Sequence, residues 1–284
     1  MEERTVFEVQ NVQKVYKVKN GNDVHALNDV SLTVKENEFV CVVGPSGCGK
    51  TTLLNIIAGL ESYDSGTVKI NGENVIGPGP DRAVIFQQYA LFPWMTVKKN
   101  IEFAMKFLRH PVEVEKKNKK NGEVTKVIKH VKYTRAEKEA MEKHYLKMVD
   151  LEEFENAYPS RLSGGMKQRV AIARSYVTNA EVLLMDEPFG ALDAQTRAQL
   201  QEDLLKTWAQ ERKTCLFITH DVEEAVLLAT RVVIMSARPG RIKKIIDIDL
   251  PYPRNQETKM DPRFNEYKNQ IWQQVYKEYL EVKK

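Results

Sequence analysis

A chain of 284 residues, 42% hydrophobic and 29% charged, has enough apolar mass for one large α/β domain or two modest ones. No run approaches the roughly 18 consecutive apolar residues of a membrane span, and Cys41, Cys48 and Cys215 are too few and too scattered for a disulfide framework or a zinc site. The formal charge of +4 is concentrated in residues 109–135, which carry nine Lys/Arg against three Glu and leave the rest near neutral, an argument against a chain-wide nucleic-acid surface.

In chain order, FEVQNV, VHALNDVSLTV and EFVCVVG read as strands, the last a continuously apolar run of the kind buried on both faces of a sheet. KTTLLNIIAGL follows at helical spacing, with Gly59 as its stop. GTVKI and RAVIF predict two further short strands, and residues 96–107 and 134–149 amphipathic helices. Between those helices the basic segment is ambiguous. Val112 and Val114 alternate as in a strand, Val124, Ile128 and Val131 have helical spacing, and Asn121-Gly122 is a tight-turn signal, so hairpin and helix both stand. EVLLM, TCLFIT and RVVIM resume the strands, separated by helices, and 261–282 reads as a final helix. Alternation of this kind predicts a mostly parallel sheet covered by helices. The charged N-terminus, MEERTVFEVQ, lacks the apolar run of a secretory signal, so a cytosolic chain is expected, with any membrane role reached through a partner.

Three motifs carry chemistry. Gly44, Pro45, Ser46, Gly47, Cys48, Gly49, Lys50, Thr51 and Thr52 follow an apolar strand and open a helix, in the order G-x-x-x-x-G-K-[ST]. The glycines let backbone N–H groups approach a polyphosphate, Lys50 adds a point charge, the Thr51 hydroxyl is a hard ligand for Mg²⁺, and the helix dipole faces the anion. Cys48 reads as a small filler of this loop. Val182-Leu-Leu-Met-Asp186-Glu187-Pro188 ends a buried strand in two carboxylates, where ligand crevices of such sheets lie. Asp186 is placed to hold Mg²⁺ and Glu187 to orient or deprotonate an attacking water. In Leu162-Ser-Gly-Gly-Met-Lys-Gln-Arg169, Ser163 can cap a helix whose N–H groups Gly164 and Gly165 leave open to an anion. One nucleotide already has a cradle, so this second one implies another.

These motifs, in this order over residues 5–235, resemble the ABC ATPase family, a P-loop NTPase fold with a mostly parallel core sheet, an N-terminal antiparallel β subdomain and an inserted helical subdomain. The resemblance implies an ATP-binding domain over 5–237, with the helical subdomain at about 90–165 and the basic insert at 109–135, then a strand-and-helix extension over 238–284. It implies that Ser163, Gly164 and Gly165 contact ATP held by a partner copy, itself or a homologous ATPase subunit. Gln87 resembles the residue that touches the metal and senses the γ-phosphate, Asp193 the D-loop aspartate, His220 the γ-phosphate histidine, and Tyr16 the aromatic that stacks on adenine. Met166 departs from the signature, where Gln is most frequent. Gly77-Pro-Gly-Pro-Asp-Arg82, Trp94 and Ser236-Ala-Arg-Pro-Gly-Arg-Ile242 look like the ATPases of nitrate, sulfonate, taurine and bicarbonate importers. That subfamily implies ATP and Mg²⁺, integral membrane permease subunits, an extracytoplasmic solute-binding protein, the cytoplasmic face of a bacterial inner membrane, and no nucleic acid. A non-transport ABC ATPase of DNA repair or translation is the alternative, though two cassettes or a long coiled coil would then be expected. A small-molecule P-loop kinase leaves the Ser163 motif unexplained, and a binding adaptor without turnover leaves Glu187 and His220 unexplained.

Overall fold

The computed structural model describes residues 4–19, 21–106, 108–117 and 124–282. They form two compact units, Met1–Ala90 with Asn179–Lys284, and Leu91–Thr178.

The first unit opens with β1 (Thr5–Tyr16), β2 (Val24–Lys35), β3 (Phe39–Val43), α1 (Lys50–Ala58), β4 (Ser65–Ile70), β5 (Glu73–Asn74) and β6 (Arg82–Ile85). The second unit holds α2 (Val97–Met105), β7 (Arg109–Lys117), β8 (Val124–Lys132), α3 (Arg135–Met148) and α4 (Gly164–Tyr176). The first unit then resumes with β9 (Val182–Asp186), α5 (Ala194–Glu211), β10 (Thr214–Ile218) and α6 (Val222–Leu228), followed by β11 (Arg231–Met235), β12 (Ile242–Asp247) and α7 (Pro262–Val282).

Two sheets build the first unit. β2-β1-β4-β5 is antiparallel, and β2 alternates buried and exposed residues because only one of its faces meets the core. The larger sheet has the order β12-β11-β3-β10-β9-β6, parallel throughout except for β12. Its central strands, FVCVV in β3 and TCLFI in β10, are buried at every position, which is why their sequences run apolar without alternation. β12 closes one edge with Lys243 and Lys244 exposed, charges that discourage further strand pairing. The strand and helix of residues 238–284, read from the sequence as an extension, cluster with the first unit.

In the second unit the ambiguous basic segment is an antiparallel hairpin, β7 on β8, in register from Arg109↔Lys132 to Lys117↔Val124. The turn expected at Asn121-Gly122 lies outside the described residues. Thr96 caps α2 by accepting from Lys99 N, and the buried Asn100 amide bonds the carbonyls of Phe92, Met95 and Thr96, so the chain entering α2 is stitched to its first turns. Thr134 and Glu137 form a reciprocal capping box on α3. α4 runs unbroken from Gly164 to Tyr176 within this unit. No helix of the described residues is long and apolar enough to cross a membrane.

Candidate nucleotide site

The parallel register sets the site. β3, β6, β9 and β10 end on the same edge, so the Gly44–Thr52 loop, Gln87, the Asp186–Glu187 pair and His220 leave the sheet side by side. Within the loop, Gly47 (φ 74°) and Gly49 (φ 93°) adopt left-handed backbone, and a Cβ on Gly49 would approach Ala26 O and Leu27 Cδ2 to 2.7 Å. Only glycine fits there without strain. The Lys50 ammonium folds back onto Gly44 O (2.9 Å) and Pro45 O (3.1 Å), and Cys48 N also donates to Pro45 O (3.3 Å). Ser46 stands exposed at the loop's apex, while Cys48 is buried, and burial pushes its thiol up despite the neighbouring Lys50. The first turn of α1 leaves backbone N–H groups without intrahelical partners, as every helix start does.

Thr51 Oγ1 donates to Asp186 Oδ1 at 3.1 Å. Burial raises the Asp186 carboxyl, the Thr51 hydrogen bond opposes this, Glu187 adds a further push up and Lys50 a pull down. Glu187 itself has left-handed backbone (φ 43°), its N–H held by Ile218 O at 3.0 Å, which turns its side chain off the strand axis. Its Oε2 lies 3.1 Å from His220 Nδ1. A Cβ added to Gly190 would sit in ordinary contact with that same Oε2 (3.6 Å) and with Gln87 Nε2 (3.7 Å), so the Gln87 amide and the Glu187 carboxylate both flank Gly190.

Tyr16, at the end of β1, brings its hydroxyl 3.5 Å from Thr52 Oγ1 and 3.4 Å from Glu61 Oε2, with Lys14 Nζ 4.9 Å from the ring centroid and the residue 37% exposed. Asp193 caps α5, accepting from Gln195 N (3.1 Å) and Thr196 N (3.0 Å); these backbone donors hold its carboxyl below the usual range. Ser163, Gly164 and Gly165 belong to the second unit, where Ser163 Oγ caps α4 by accepting from Met166 N (3.2 Å). Sequence reading missed Arg238, whose Nε donates to Gly47 O at 3.1 Å. Its run, Ser236 to Ile242, stood out in the sequence only as a subfamily mark.

The ABC transporter family model matches residues 27–190. An uncharacterized ABC transporter ATP-binding protein of Methanocaldococcus jannaschii is 49% identical over 265 residues, covering 93% of this chain and 89% of that one. The chain belongs to the ABC transporter family. As an ABC cassette it is an ATPase coupled to transport. The cassette is also 44% identical over 271 residues to the nitrate import ATP-binding protein NrtD of Synechocystis sp., with 93% of each chain covered. Among solved structures it is similar to the dimeric post-hydrolysis state of an ATP-binding cassette bound to ADP and Pi. There the identity is 31% and the TM-score 0.68, over 86% of this cassette and 100% of that chain.

Proposed function

We propose that two copies of this cassette sandwich MgATP, each nucleotide held by the Gly44–Thr52 loop of one copy and by Ser163, Gly164 and Gly165 of the other. Hydrolysis then powers uptake of a small anion, of the nitrate, sulfonate, taurine or bicarbonate class, through separate membrane permease subunits. The solute class is supported by the likeness to the nitrate import protein, and pairing by the dimeric state of the similar cassette. The cassette would work at the cytoplasmic face of a bacterial inner membrane, with an extracytoplasmic solute-binding protein delivering the anion.

The observation that carries the ATPase reading is the pair of contacts Thr51–Asp186 and Glu187–His220 on adjacent strand ends beside the loop. Two oxygens on neighbouring vertices of a Mg²⁺ octahedron with bonds of about 2.0–2.1 Å stand about 3 Å apart. The 3.1 Å between Thr51 Oγ1 and Asp186 Oδ1 fits that donor set, and the Gln87 amide would add a further oxygen. Bound there, Mg²⁺ would neutralise charge building on the β- and γ-phosphate oxygens. Lys50 would exchange its bonds to Gly44 O and Pro45 O for phosphate oxygens, and the N–H groups at the start of α1 would cradle the same anion. Glu187 Oε2 is the acceptor for the proton of the attacking water, and His220, holding that carboxylate by Nδ1, faces the γ-phosphate with the rest of its ring. Tyr16 would stack on the adenine, and Asp193, the N-cap of α5, would face the partner copy.

Complementation between copies tests the shared site. Lys50→Ala should weaken MgATP binding by roughly 10- to 100-fold, the loss of a charge-assisted phosphate contact. Ser163→Arg should bind nucleotide but not turn it over. Mixed in equal amounts, the two inactive variants should recover up to about a quarter of wild-type turnover, because half the dimers carry one intact loop facing one intact Ser163. Recovery no higher than either variant alone would overturn the shared site, and undiminished binding in Lys50→Ala would overturn the loop.

A further inference from the structure

The segment 236–241, between β11 and β12, lies against the phosphate loop and has no part in the chemistry proposed above. Besides the bond from Arg238 Nε to Gly47 O, its guanidinium crowds the loop closely enough that a Cβ on Gly47 would stand 2.7 Å from Nη2. Among the described residues no carboxylate pairs with Arg238, so the Gly47 carbonyl is its anchor. The segment is braced from both ends. Ser236 Oγ accepts from Arg241 N (2.9 Å) and lies 3.0 Å from the Ala237 and Pro239 carbonyls. Gly240 N donates to Ala26 O (3.0 Å) and Asn28 N to Gly240 O (2.9 Å), and a Cβ on Gly240 would collide with Cys48 O. On the other side Ala237 N donates to Glu278 Oε2 of α7 (3.1 Å), and Glu278, 7% exposed, is held in turn by Lys243 Nζ (3.3 Å).

A peptide flanked by glycine can turn over at little cost, because Gly47 tolerates either backbone orientation. In a trans peptide the C=O and the next N–H point opposite ways. Fixing Gly47 O outward on Arg238 therefore fixes Cys48 N–H inward, towards Pro45 O, the carbonyl that also receives Lys50. We propose that Arg238 is a positioning residue of the phosphate loop, clamping the Gly47–Cys48 peptide so that its N–H faces the phosphate side, and that α7 keeps the clamp in place through Glu278. The inference rests on the reading of Gly44–Thr52 as the nucleotide loop.

The three cysteines supply a readout independent of turnover. Cys48 lies beneath the clamped loop at 1% exposure, while Cys41 and Cys215 sit at 0% in the central sheet. In the full-length protein, Arg238→Ala should raise KM for MgATP roughly three- to tenfold, the loss of one charge-assisted hydrogen bond, with kcat changed by less than about twofold. Peptide-resolved alkylation should label Cys48 several times faster than in the wild type, with Cys41 and Cys215 still protected. Arg238→Lys, which restores a cation within reach of Gly47 O, should return both readouts most of the way. An unchanged KM, a raised KM without faster Cys48 labelling, or labelling of all three cysteines in step would each overturn the clamp. Lys50→Ala in the same series separates the two ideas. If it loses MgATP binding while Arg238→Ala behaves as wild type, the loop reading stands and the clamp falls; if Lys50→Ala binds normally, the loop reading itself fails.

Discussion

Glu187→Gln should lower ATP turnover by about two to four orders of magnitude, the contribution of a positioned general base, while leaving MgATP affinity within a few-fold of the wild type. The amide keeps the shape of the carboxylate but cannot take the proton of the attacking water. Because ATP bound between two copies would then persist, the variant should also run as a dimer in MgATP and as a monomer without nucleotide, as read by size-exclusion chromatography with light scattering. His220→Ala should fall in the same direction by a smaller factor, since it removes the partner 3.1 Å from Glu187 Oε2 rather than the base itself. Turnover in Glu187→Gln equal to that of the wild type would remove Glu187 from the reaction.

The largest effect on stability is expected at Arg254, a residue no motif predicts. It is 3% exposed, and its guanidinium bonds the carbonyls of Val226 and Ala229 at the end of α6, together with those of Ile248 and Leu250 after β12. Tyr252 covers it, its ring centroid 4.0 Å away and its hydroxyl bonded to Leu228 O at 2.8 Å. Burial pulls the Arg254 pKa down, so the charge is held by carbonyl dipoles at a helix C-terminus rather than by a carboxylate. Arg254→Met should cost about 3–5 kcal/mol, because it strands several buried carbonyls at once. Urea unfolding would read the change, and a loss below about 1 kcal/mol would mean that water satisfies those carbonyls instead. Arg254→Lys should recover less than half, since one ammonium cannot reach acceptors spread over two chain segments.

How far the sequence is legible follows from what each residue answers to. The runs in β3, β9 and β10 are readable because burial on both faces leaves almost no polar positions, and their ends can be placed together because parallel strands finish on one edge. The basic hairpin is readable only as one of two alternatives. Val124, Ile128 and Val131 mimic helical spacing, yet in the β7–β8 register Ile128 pairs with Glu113 and is 70% exposed, while Val131 pairs with His110 on the other face. A two-stranded ribbon imposes only weak alternation on its side chains. Arg238 and Arg254 are invisible for a different reason. Each answers to backbone carbonyls, Arg238 to one 191 positions away, and a carbonyl leaves no mark in a residue pattern.

The shared strand edge has one more consequence. Asp186 ends β9, and Gln87, Glu187 and His220 follow the ends of β6, β9 and β10 by no more than two residues, so the interval between neighbouring strands, about 4.8 Å, sets their spacing more than long pliable connections do. Warming that agitates surface segments should therefore leave these side chains in alignment until the sheet itself comes apart. Heat inactivation and loss of the far-ultraviolet dichroism signal should then coincide in one transition, with no interval of folded but idle protein.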